Sequence, residues 1–75
     1  MNYKEIEKMD KQEMIRYMKV ENKSLFITRQ ELADIMGYKD PHCVDRYLYG
    51  LEKADHRYFI PDVVASIKEK AKVRA

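Results

Sequence analysis

Arg46 is the side chain best suited to specific chemistry, because a guanidinium fork matches the O6 and N7 edge of a guanine. His42 precedes it in the same short segment, near the helix end that meets base edges in many DNA complexes. Tyr49 can reach a phosphate or pack on a sugar, while Asp45 repels phosphates but can accept from N4 of cytosine. Lys53, His56 and Arg57 follow, and cations at a loop tip suit a narrow A·T-rich minor groove. Arg29 and Lys39 are further candidates for phosphate contacts. Plainer readings stand beside these. Arg46 can pair with Asp45 or another surface acid, His42 can be merely solvated, and any exposed hairpin carries charges like those of Lys53, His56 and Arg57.

Other chemistries find little support. There is no His/Glu cluster, glycine-rich phosphate loop or nucleophile elbow. His42 and Cys43 are adjacent, so on a helix they diverge by about 100° and share a metal poorly. Adding His56 does not produce the four-ligand spacing of a zinc site. Cys43 reads as a small, partly buried side chain rather than a nucleophile. The expectation is a protein that is not an enzyme and uses no metal or cofactor.

The segments holding the candidate residues carry clear local signals. Thr28 can cap a helix, with Glu31 completing a capping box. Leu32, Ala33, Ile35 and Met36 supply its apolar stripe, and Gly37 its left-handed stop. Ala33 is small enough to let a second helix approach closely. Asp40 can cap that second helix, and Pro41 suits its first turn. With Val44, Leu48 and Leu51 facing the core, His42, Asp45, Arg46 and Tyr49 face outward or sideways. This order predicts a helix-turn-helix.

Before it, residues 2–20 read as one helix, or as two broken near Asp10, where Glu13 completes another capping box. Tyr3, Ile6 and Met9 form one apolar stripe, and Met14, Ile15 and Met18 continue it to about Val20. The core is the expected destination of Met9, Met14 and Met18, the alternative being a stripe exposed to a partner. Glu21 to Ser24 is a polar turn, and Leu25-Phe-Ile27 is extended. After Gly50, Ala54-Asp55-His56 is a turn between two short strands, with Arg57-Tyr-Phe-Ile returning. Pro61 opens a last helix, with Val63, Val64, Ile67 and Ala71 on its apolar face. Lys68, Lys70, Lys72 and Arg74 near its end suit the negative end of the helix dipole. Tyr38, Tyr47, Tyr58 and Phe59 are assigned to core or wing packing rather than base stacking. The predicted fold is mainly α with a small β-hairpin: a winged helix-turn-helix of three to four helices.

Seventy-five residues predict one domain, divided as 1–24 (N-terminal helical segment), 25–50 (helix-turn-helix), 51–60 (wing) and 61–75 (last helix). Such a chain hides only about 60% of its unfolded surface, so its stability should be modest. Hydrophobic residues make up 45% and charged residues 37%, with a mean hydropathy of −0.69. No apolar run approaches the roughly 18 residues that span a membrane. The first residues, Met-Asn-Tyr-Lys-Glu-Ile-Glu-Lys, lack the apolar stretch of a signal peptide. One cysteine excludes an internal disulfide, and a reducing cytoplasm is the expected compartment. The net charge is +2 overall but −1 over residues 25–50, with three basic and four acidic groups. Because phosphate neutralisation dominates DNA affinity, that balance argues against tight binding by a lone domain.

The chain resembles the small winged-helix domains of the excisionase and MerR families of bacteria and their mobile elements. The resemblance rests on Thr28-Arg-Gln-Glu-Leu-Ala-Asp-Ile-Met-Gly-Tyr38, Val44-Asp-Arg-Tyr-Leu48, Gly50-Leu51 and Arg57-Tyr-Phe-Ile-Pro-Asp-Val63, over roughly residues 25–70. Those families usually place the apolar residue of the second helix six positions after the turn glycine. Here Val44 stands seven after Gly37, a turn one residue longer. The resemblance implies double-stranded DNA binding, sequence-specific or architectural, in transcription regulation or DNA recombination. One domain presents only about 600–1,000 Å² to DNA, so a homodimer or a protein partner on the DNA is expected. The alternative is a protein-binding accessory or inhibitor on the same scaffold, favoured by the acidic balance of residues 25–50, by Asp45 and by the methionines of the first helix.

Overall fold

Capping boxes set where two of the helices begin. The computed structural model describes residue 6 and residues 8–73. Helix α1 (Lys11–Asn22) starts at Asp10, whose carboxylate accepts from the Glu13 amide at 2.8 Å. Glu13 returns the bond by accepting from the Asp10 amide. The break near Asp10 is therefore real, and Met9 N–H closes a turn onto the Ile6 carbonyl. Tyr3, the first residue of the expected stripe, lies outside the described residues.

Helix α1 runs two residues past the expected end. Glu21 and Asn22 are helical, and the turn is made by Lys23, at φ 61°, and Ser24. Asn22 stays in the helix because its side-chain amide has acceptors ahead of it: the Phe26 carbonyl at 2.6 Å and the Ser24 carbonyl at 3.4 Å. Met14 and Met18 are fully buried on the inner face. Val20, two residues beyond Met18, points away from that face and is exposed, so the apolar stripe does not reach it.

Strand β1 (Phe26–Thr28) runs directly into helix α2 (Arg29–Met36). Thr28 ends one and caps the other, accepting from the Glu31 amide while its own N–H donates to Glu31 Oε1 at 2.8 Å. Leu32, Ala33 and Met36 are buried, with Ile35 half-buried. Gly37 then takes φ 83°, where a Cβ would be costly. Its N–H and that of Tyr38 donate to the Asp34 and Ala33 carbonyls, the two bonds of a Schellman ending.

The second helix is shorter than its sequence suggests. Asp40 accepts from the His42 amide, and Pro41–Val44 form a 3₁₀ turn rather than an α-helical one. Helix α3 covers only Asp45–Leu48. This tighter winding brings Val44 into the core with no exposure. Tyr47 and Leu48 are buried with it, and Leu51 is half-buried.

Strands β2 (Lys53–Ala54) and β3 (Arg57–Phe59) form the expected hairpin. Its two-residue turn, Asp55 and His56, has φ of 52° and 69°, the backbone sign a type I′ turn requires. The sheet has a third member, because β1 also pairs antiparallel with β3, giving the order β1-β3-β2. Phe26 faces Phe59, Ile27 faces Tyr58 and Thr28 faces Arg57. Ile60 is not part of the returning strand. It begins helix α4 (Ile60–Val73), and its N–H donates to the Leu25 carbonyl at 2.7 Å. Ile60, Val63, Val64 and Ile67 close the core between α1, α3 and the sheet. The protein is thus mainly helical, with a small three-stranded antiparallel sheet. No helix among the described residues is long and apolar enough to cross a membrane.

Two side chains of α4 hold the short α3 in place. Ser66 Oγ donates to the Tyr47 carbonyl at 2.6 Å, and Lys70 Nζ donates to the Arg46 carbonyl. Lys68 donates to the Met9 carbonyl. Lys68 and Lys70 therefore bind carbonyls of other segments, beyond the dipole role expected of them; the side chains of Ala71 and Lys72, and all of Arg74, lie outside the described residues. Ser66 is itself buried, so Ser66→Ala strips a donor from the Tyr47 carbonyl in a site water reaches poorly. The expected loss is about 1–3 kcal/mol of unfolding free energy, measured by urea titration.

Candidate nucleic-acid interface

Two oppositely charged helix starts meet among the candidate residues. Arg29, the first residue of α2, donates from Nε to Asp45 Oδ1 at 2.6 Å and from Nη2 to Asp45 Oδ2 at 3.0 Å. Asp45 is the first residue of α3, and both side chains remain roughly half-exposed. Asp45 thus has a partner sixteen residues away, and Arg46, its expected neighbour in a surface pair, is left to a different contact. The Arg46 guanidinium lies 4.8 Å from the centre of the Tyr47 ring. Arg46 makes no ion pair with any described residue.

Asp40 and His42 complete this cluster. His42 donates its amide to Asp40 Oδ1, and its ring Nδ1 stands 2.9 Å from the same oxygen. The electrostatic reach of the group extends further: Arg29 feels Asp40 and Tyr58, and Asp45 feels His42. Arg29 and His42 are therefore brought together, around two carboxylates.

These contacts shift the protonation of the groups in predictable directions. The hydrogen bonds from Arg29 hold the Asp45 carboxyl below the usual carboxylate range, and the same bonds raise Arg29. The His42 amide, then its ring, lowers Asp40. The Glu13 amide lowers Asp10. A carboxyl lowered in the folded state contributes stability above its unfolded pKa of about 3.9, and loses it as pH falls through the folded value. The melting temperature should therefore be flat near neutrality and fall below about pH 4. Asp40→Asn with Asp45→Asn should flatten that acid limb when melting is followed by circular dichroism.

The remaining candidates are spread along the same half of the chain. Lys39 is exposed in the turn after α2. Tyr49, at the end of α3, is 86% exposed, the most open large apolar side chain among the described residues. Lys53, His56 and Arg57 are exposed on the hairpin, with Arg57 opposite Thr28, the residue before Arg29. Lys39, Lys53 and Arg57 form no ion pair with a described residue.

Cys43 is exposed rather than partly buried, because the 3₁₀ turn directs Val44 inward and leaves Cys43 outside. Tyr38 packs against the core as expected, and burial raises its phenol. Phe59 stacks in the sheet with Phe26, ring centres 5.4 Å apart, but on the solvent side. Sequence reasoning missed the carbonyl contacts of Ser66 and Lys70 that fix α3; neither carries a local signal, since each depends on α4 crossing α3. Comparison with protein-family models, curated proteins and solved structures finds no match to this chain.

Proposed function

We propose that this protein binds double-stranded DNA as a small winged helix-turn-helix. The observation that carries the reading is the succession α2, tight turn, α3 and hairpin, with Arg46 on α3 and Lys53 and Arg57 on the hairpin making no ion pair among the described residues. In this reading the 3₁₀ turn and α3 enter the major groove, where Arg46 reads a guanine edge and His42 and Tyr49 contact neighbouring groups. The hairpin lies over the adjacent minor groove, with Lys53, His56 and Arg57 against it. Lys39 and Arg29 meet backbone phosphates. The reader helix is one turn long, so a second copy or a protein partner supplies the rest of the affinity. A regulator or a recombination factor of excisionase type is the role this design suits, in the cytoplasm and without catalytic activity.

The test is fluorescence anisotropy on random and A·T-rich duplexes at about 50 and 200 mM salt. Affinity that drops steeply with salt supports the reading; absence of binding at the lower salt defeats it. A protein-binding role is the second reading, favoured by the solvent-facing Phe26–Phe59 pair and the open Tyr49. It gains if the duplexes are ignored while Phe26→Ser abolishes capture of a partner protein.

A further inference from the structure

We propose that Asp45 is a positioning residue for DNA binding, holding Arg29 so that its outer edge meets a backbone phosphate. The inference rests on the DNA-binding reading above. A guanidinium carries five N–H donors, and Asp45 accepts one from Nε and one from Nη2. The two bonds are parallel, the fork geometry that fixes both the distance and the plane of the group. Three donors remain, on Nη1 and the far side of Nη2, directed away from the carboxylate. Arg29 has no other hydrogen-bond acceptor among the described residues, and its side chain is 39% exposed, which leaves it open to an incoming phosphate.

The location suits a phosphate clamp. Arg29 follows Thr28, which lies opposite Arg57 of the hairpin, and Asp45 precedes Arg46 of the reader helix. The pair therefore links, by chain and by strand register, the two segments proposed to enter the grooves. An unrestrained arginine must give up its rotamer freedom when it meets DNA; here that ordering is done in the free protein. The arrangement also gives an acidic residue a place in a segment of net charge −1 that binds a polyanion. Asp45 spends its charge on Arg29 and leaves the donors of Arg29 outward.

Simple electrostatics and this proposal predict opposite signs. Removing a carboxylate raises the net charge, which by itself strengthens DNA binding. If Asp45 positions Arg29, Asp45→Ala instead weakens it, by about tenfold, and lowers the salt slope by about one. The experiment is a cycle of wild type, Asp45→Ala, Arg29→Ala and the double variant, titrated by anisotropy with one duplex across a salt series. The expected result is that Asp45→Ala weakens binding only where Arg29 is present, and that the double variant binds no worse than Arg29→Ala. Tighter binding by Asp45→Ala overturns the proposal, as does an equal loss in both backgrounds, which a merely structural Asp45 would cause. A wild type that ignores DNA at low salt is a different result: it removes the DNA-binding reading, and the role of Asp45 with it.

Discussion

Leu32→Ala is expected to remove about 2–5 kcal/mol of unfolding free energy. Leu32 is fully buried on α2, among Ile27, Met36 and Val44 of the same core. Truncating it deletes three heavy atoms from a space that its neighbours, held by a capped helix and a Schellman ending, cannot collapse to fill. A domain of this length commands only about 4–11 kcal/mol in all, so the variant should be close to unfolding at 37 °C. Urea titration should show a lower midpoint with an unchanged slope. Val20→Ala is the control, since an exposed side chain on the outer face of α1 should change stability by less than about 0.5 kcal/mol. A loss at Leu32 no larger than at Val20 would contradict the core described above.

The second large effect concerns binding. Arg46→Ala with Arg57→Ala should cost roughly 100-fold in affinity for duplex DNA and reduce the salt slope by about two. The two side chains are exposed on different elements, α3 and β3, and neither forms an ion pair among the described residues. Their removal should leave the melting transition nearly unchanged, so a lost affinity would report the interface rather than the fold. Unchanged affinity in a well-folded double variant would rule out the proposed face. A loss confined to Arg46→Ala would keep the reader helix and discard the hairpin.

Local signals determined much of this molecule. Asp10 with Glu13, and Thr28 with Glu31, specify two helix starts through bonds that span three residues and need no tertiary help. Gly37 specifies a helix end for the same reason. The apolar spacing of Met14 and Met18, of Leu32, Ala33 and Met36, and of Val63, Val64 and Ile67 identified the core, because helical periodicity alone decides which side chains share a face. The hairpin turn is legible too, at Ala54 to His56 between two short runs that suit strands, although Ala54 pairs with Arg57 and only Asp55 and His56 make the turn.

Tertiary structure decided the rest. The 3₁₀ start of the second helix buries Val44 and leaves Cys43 outside, and no local preference announces that, since the Asp40 cap and Pro41 suit an α-helical start as well. The extended run before the second capping box is legible, but its place one residue later, at Phe26–Thr28, and its pairing with Arg57–Phe59 across some thirty residues of chain are tertiary. Helix α3 survives at four residues because Ser66 and Lys70 reach its carbonyls from α4. The Arg29–Asp45 fork depends in the same way on two helix starts that meet only once the core has formed. Short-range hydrogen bonds and periodicity are written along the chain, whereas a pairing between distant polar groups depends on where the packed core leaves their backbones.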